Sequence, residues 1–316
     1  MTIDIAQKRT AIRIPAIGTT CMLCQKEPPI ENSHILPKFA VKWLKQNSSP
    51  YLRSPARPNL REQDIDKEPL LGLQCEQRLS IWEEKFADEI FKPYHANVSD
   101  RTFAYGKWLI YFVVSVSWRV LAIQLPRLRR EEPGLIEHSE RAFEDWRLFL
   151  LNQSQRINPY EHRIAFFSTL DLSNAPLDRI PLNFNNYCMR AFDCSVVSTD
   201  HKNRVFSLIP GMAIWSTIYP PRSKGWPEGS NIIFKGVLST SQQIQDLMFS
   251  EWLLQRAKSA GDAKISPEQQ KKVNQTFEQL IVGKSVEDLS KMFEVHRADQ
   301  RLALQKQRLS KNHLIP

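Results

Sequence analysis

Two cysteines separated by two residues, Cys21-Met22-Leu23-Cys24, are the strongest chemical signal in the chain. Such a pair is the usual knuckle around a zinc ion, and a third thiol, Cys75, stands at the start of a helical pattern. A complete second pair would close a tetrahedron, but the position three before Cys75 is Gly72. The sequence therefore offers Cys21, Cys24 and Cys75 as metal ligands with no obvious fourth. The alternative is that these cysteines are small apolar residues at a turn. Between them, Ser33-His34-Ile35-Leu36-Pro37-Lys38 sets a histidine before a strand-like apolar pair. An imidazole there can act as a general base toward water, or it can be a core or capping histidine.

Taken together, Cys21-x-x-Cys24, Glu31-Asn32-Ser33-His34-Ile35-Leu36-Pro37-Lys38 and Cys75-Glu76 resemble the HNH (ββα-metal) endonuclease family. More closely, they are similar to a branch of bacterial proteins with a Ser-His-Ile-x-Pro-Lys element and a second Cys-x-x-Cys-Glu at a helix start. The resemblance covers roughly residues 18–95. It implies that His34 is the general base, that a following loop residue (Gln63, Asp64 or Asp66) orients it, and that a helix residue binds a divalent ion. Glu76 stands where the family often has Asn, and Glu83, two helical turns on, shares nearly the same face. Glu76 with Glu83 or Glu84 suits Mg2+ or Mn2+; the alternative is a solvated acidic face beside Arg78 and Lys85. A structural Zn2+ falls to Cys21, Cys24 and Cys75. Ser33 replaces a family carboxylate and Gly72 a family zinc ligand. These two departures favour a second reading, a catalytically inactive zinc-knuckle module that binds nucleic acid or protein. A third class is a toxin or defence effector held in check by a regulatory protein partner.

The charge distribution points the same way. The chain carries a formal charge of +9, and residues 1–61 hold ten Lys/Arg against three Asp/Glu. Lys38, Lys42, Lys45, Arg53, Arg57 and Arg61, interleaved with Trp43 and Tyr51, fit contacts to the backbone of DNA or another nucleic acid. The alternative is a solvated face. Five unevenly spaced cysteines do not make a disulfide scaffold, and MTIDIAQKRT lacks an apolar signal core, so a cytoplasmic setting is expected.

The elements that must position these groups are of both kinds, and the expected fold class is α+β. A small zinc-knuckle ββα-metal module (1–95) precedes a larger mixed helical and β region (96–260) and a helical C-terminal segment (261–316). Helices are expected at 35–46, from Cys75 to about Phe91, at 135–152, 241–260, 267–282 and 285–307. The run 103–125 is apolar all round but contains Lys107 and Arg119. It is expected to be a buried central helix ended by Pro126, with no membrane span. Period-two patterns predict strands near 162–170, 187–198, 204–209, 211–219 and 231–238. Ser285–Gln305 resembles a helix-turn-helix with its turn at Glu294-Val295-His296; the alternative is a helix pair packed on the main domain.

Overall fold

The computed structural model describes residues 14–312 except 48–51, 55–56, 97–100, 155–158, 170–176 and 283–285. The chain is mixed α and β. Its first part runs β1 (Ser33–His34), α1 (Lys38–Asn47), a hairpin of β2 (Leu52–Ser54) and β3 (Arg57–Glu62), then β4 (Lys67–Glu68) and α2 (Leu73–Phe86). α2 passes through a π-turn (Ala87–Phe91) into α3 (Lys92–Ala96). β1 and β4 pair antiparallel, Ser33 opposite Glu68 and His34 opposite Lys67.

The middle of the fold is α4 (Lys107–Glu131), in which every residue from Leu109 to Ala122 is buried. A helix apolar on all sides must be covered on all sides. α2 covers one flank, with Phe86 stacked on Phe112 at 4.0 Å. α5 (Ile136–Leu150) covers another, with Phe143 stacked on Trp118 at 5.2 Å. The third side meets a four-stranded antiparallel sheet in the order β6 (His162–Phe166), β9 (Met212–Tyr219), β8 (Lys202–Ile209), β7 (Asp193–Thr199). Ser117 of α4 shares a 2.7 Å hydrogen bond with Ser216 of β9, which also meets His162 Nδ1 at 2.7 Å. Among the described residues α4 is the one helix long and apolar enough to cross a membrane, and here it is the core helix. One buried cluster runs from Cys21 through α4 and α5 to Leu238, so the N-terminal elements share the central core.

Both ends of α4 differ from expectation. Thr102–Tyr105 forms β5 instead of helix, because it pairs with β10 (Gly236–Ser239), and α4 starts after Gly106. Pro126 lies inside the helix. The last turn survives it because Arg127 bonds Glu131, Glu132 and the Val196 carbonyl. The strand expected from 187 begins at Asp193, and before it stands α6 (Phe184–Arg190).

The C-terminal helices are α7 (Leu247–Asp262), α8 (Pro267–Ile281) and α9 (Val286–Asn312). α7 buries Phe249 and Leu253 against Phe206 and Trp215 of the sheet. The Ser266 hydroxyl caps α8, accepting the Gln269 N–H, with Pro267 in its first turn. The expected helix-turn-helix is not formed: α9 continues through Glu294–His296 without a turn. No Gly or Pro interrupts residues 286–312. Val295, Ala298 and Leu302, at helical spacing, are buried.

α9 is tied to α6 by one carboxylate. Asp299 accepts the Asn185 and Asn186 backbone N–H groups at 2.9 and 3.0 Å and both side-chain amides. It is an N-cap delivered from another helix. Asp299→Ala should lower stability by about 3 kcal/mol, since charge-assisted bonds to buried donors are the costly ones to lose. Urea unfolding reads this directly, and a change below ~0.5 kcal/mol would show that α9 is not held there.

Candidate metal centre and histidine–aspartate dyad

The knuckle is closed by its own backbone. The Gln25 N–H donates to the Cys21 carbonyl at 2.8 Å, with Gln25 at φ 58°, and the Cys21 N–H donates to the Glu27 carbonyl at 2.8 Å. The loop is then stitched to the segment before α2. Met22 N–H donates to Leu70 O at 2.9 Å, and Ile30 N–H donates to Leu71 O at 2.8 Å. From α5, Arg147 reaches the Leu23 carbonyl at 2.9 Å. Cys75 arrives from the first turn of α2, whose N-cap is Gly72.

These contacts bring the three predicted cysteines together, and with them a residue the motif did not announce. One ligand atom each of Cys21, Cys24, Glu27 and Cys75 lies within 4.8 Å of all the others, and this set could hold a metal ion. All three cysteines are free of disulfides. The Cys21 thiol is lowered to about 5, first because the Cys75 thiol hydrogen-bonds to it. Cys75 is raised for the same reason, its proton being held by Cys21 and by burial. Such a cluster readily exchanges its protons for a cation.

His34 lies on the other side of the β1–β4 pair. Its Nε2 meets Asp64 Oδ2 at 3.0 Å, and the same oxygen receives Lys67 Nζ at 2.8 Å. The register explains the meeting: His34 pairs with Lys67, and Asp64 sits three residues before that lysine. Asp64 also accepts the Ile65 N–H at 3.0 Å. Burial would raise its carboxyl, but the bonds from Lys67 and His34 and the charge on His34 outweigh it, and the carboxyl sits at about 2. An ionised carboxylate only accepts, so the proton of this bond belongs to His34 Nε2. In the neutral ring Nδ1 is then the lone-pair nitrogen, free to accept a proton. At the other two loop candidates the main-chain carbonyls are engaged: Gln63 O accepts Lys45 Nζ, and Asp66 O accepts the Ile35 N–H.

Glu76 and Glu83 lie by Arg119, a residue that the motifs do not single out. Its guanidinium, 1% exposed, donates to the His34 carbonyl at 2.9 Å and pairs with Glu83. Glu76 has a buried Oε2 with no hydrogen-bond partner among the described residues. Its carboxyl is raised, first by burial and then by Glu83, while Arg119 and Ser33 act in the other direction. Glu84 is exposed on the far face. The Ser33 hydroxyl accepts the Leu71 N–H at 3.1 Å and so ties β1 to the knuckle seat.

Of the predicted nucleic-acid contacts, Lys38 and Lys42 are exposed on one face of α1, and Lys45 is held by Gln63 O. Arg53, Arg57 and Arg61 lie on the β2–β3 hairpin; the side chains of Arg53 and Arg57 and the whole of Tyr51 fall outside the described residues. Trp43 stacks on His95 at 3.9 Å, a packing role.

Glu27 was legible in principle, because it follows Cys24 by three residues as Cys24 follows Cys21. Arg119 announced itself only as a charge in an apolar run. Comparison with protein-family models, curated proteins and solved structures gives no match for this chain.

Proposed function

We propose that this chain is an HNH-type phosphodiesterase acting on DNA, with His34 as general base and a structural Zn2+ on the Cys21–Cys24–Cys75 cluster. The observation that carries the reading is the His34–Asp64 pair at 3.0 Å beside the antiparallel β1–β4 pair, whose second strand directly precedes the α2 helix that carries Cys75. Two antiparallel strands leading into a helix is the arrangement that the ββα name describes, here with α1 and the β2–β3 hairpin inserted between the strands. His34 Nδ1 takes the proton of a water molecule, and the hydroxide attacks phosphorus. The P–O bond to the leaving strand breaks, and the leaving oxygen is protonated from solvent. Asp64 holds the tautomer and stabilises the imidazolium. Lys38 and Lys42 meet the phosphate backbone. The expected setting is the cytoplasm, as an effector restrained by a partner protein.

The residues carried over for a catalytic Mg2+ or Mn2+ do not fit that ion. Glu83 is paired with Arg119, Glu76 is buried beside the same guanidinium, and the fixed cation among these carboxylates is Arg119 itself. This favours the second reading, a zinc-knuckle module that binds nucleic acid without cleaving it.

Plasmid nicking separates the two. With Mg2+ or Mn2+ present, His34→Ala should lower the cleavage rate by about a hundredfold, and Asp64→Asn should lower it through the wrong tautomer. Cleavage equal in wild type and His34→Ala, or none with any cation, ends the nuclease reading and leaves the binding module.

A further inference from the structure

We infer that Glu27 is the fourth ligand of the zinc site, seated where the second cysteine pair lacks its first thiol. The inference rests on the structural-zinc reading and names what completes it.

Gly72 shows why. Its backbone is extended, φ −79° and ψ 164°, a conformation open to any residue. Glycine is therefore not required there by the chain path. What excludes a side chain is Glu27. A Cβ at position 72 would stand 2.2 Å from the Glu27 Cγ and Cδ and 2.6 Å from its Oε1. The carboxylate thus fills the volume that a residue-72 side chain would use. Position 72 is three before Cys75, the seat from which a second knuckle would supply its missing thiol. Absence of one ligand and presence of the other are one arrangement.

Chemistry agrees with the space. The four ligand atoms lie within 4.8 Å of one another. Thiolates at about 2.3 Å from zinc stand roughly 3.8 Å apart, so a small contraction suffices. A carboxylate replacing a thiolate leaves the site's net charge as four thiolates would set it. A water in that place would not. Glu27 is also oriented: its Oε1 accepts the Cys75 backbone N–H at 3.4 Å and lies 3.6 Å from Cys24 Sγ. Partners of this kind are what aim a metal ligand.

The competing role is a cap. Gly72 gives α2 no side-chain cap, and Glu27 Oε1 on the Cys75 N–H supplies one from outside. Glu27→Gln separates the roles, because the amide oxygen still accepts that N–H but is a far poorer zinc ligand.

The experiment uses the full chain loaded with Zn2+ in competition with a chromophoric chelator, and with Co2+ for absorption spectra. Wild type, Glu27→Gln, Glu27→Ala and Glu27→Ala/Gly72→Cys are compared. Glu27→Gln should weaken zinc by roughly tenfold or more, at least the cost of losing an outer-sphere partner, and should shift the Co2+ bands. Glu27→Ala/Gly72→Cys should recover the affinity with a stronger thiolate charge-transfer band. If zinc binds wild type and Glu27→Gln alike, with identical Co2+ spectra, Glu27 is only a cap and the inference falls alone. If wild type binds neither ion, it falls together with the structural-zinc reading.

Discussion

Arg119→Met should lower the stability of the chain by about 3–5 kcal/mol in urea unfolding, the range for breaking one side of a buried ion pair. Arg119 is 1% exposed and has no water to fall back on. It donates to the Ser115 and His34 carbonyls as well as to Glu83. Methionine fills much of the same volume, so the loss reports charge and hydrogen bonds more than a cavity. Without the guanidinium, Glu83 and Glu76 face each other at the edge of the core. Glu76 is already raised by burial and by Glu83, with Arg119 the largest opposing influence. Removing Arg119 raises it further, and folding then takes up a proton. A carboxyl raised in the folded state favours that state at low pH and loses the advantage as pH rises through its folded value. The deficit of Arg119→Met should therefore be largest at neutral pH and shrink on acidification. Adding Glu83→Gln should return much of the loss, because the stranded partner is gone. A loss below ~1 kcal/mol, or one flat across pH, would show that the pair does not hold α2 to α4.

What the sequence revealed and what it hid divide along sequence separation. The knuckle was readable because its two ligands are three positions apart and the third sits at a helix start. α4 was readable because fourteen consecutive buried residues leave no polar face to confuse the pattern. Asp64 was one of three candidates in its loop. Only the pairing of His34 with Lys67 selects it, and two-residue strands leave no periodicity to predict that pairing. Arg119 was visible as a charge in an apolar helix, which demands a partner but does not name one 36 residues away. α6 was misread for a related reason. Seven residues of mixed pattern become a helix where Asp299, 114 residues on, caps them. α9 follows the helix expected over 285–307, and only the turn inferred within it at Glu294–His296 fails, because no breaker stands there. Pro126 was given the authority of a helix stop, although Arg127 and its acids hold the turn that follows.

With zinc on the cysteine cluster as proposed, its removal by a chelator should change the molecule more than any single substitution, yet only in one part of it. Structural zinc in small domains contributes about 10–16 kcal/mol of apparent folding free energy. Here the knuckle also has an apolar seat, since Met22, Leu23, Leu70 and Leu71 are all buried. The knuckle joins the central core at one end, and the packing of α4 on α5 and on the sheet, as at Trp118–Phe143 and Ser117–Ser216, does not pass through it, so those elements should remain folded. The loss should appear as local opening. Backbone amides of Met22, Ile30 and Leu71, which join the knuckle to the segment before α2, should lose hydrogen-exchange protection on chelation. The β8–β9 pair should keep its protection. The Leu71 amide matters most, because its partner is the Ser33 hydroxyl, one residue before His34. A loosened knuckle releases Ser33, and with it the strand that holds the imidazole against Asp64. Nicking activity should then fall on chelation even when Mg2+ is supplied afterwards, and return with zinc. Unchanged protection at those three amides, in protein shown to have lost its zinc, would sink this coupling. On the proposed reading the metal's part in the chemistry is mechanical: it would fix the β1–β4 pair beside which His34 and Asp64 meet, while the proton transfer would belong to them.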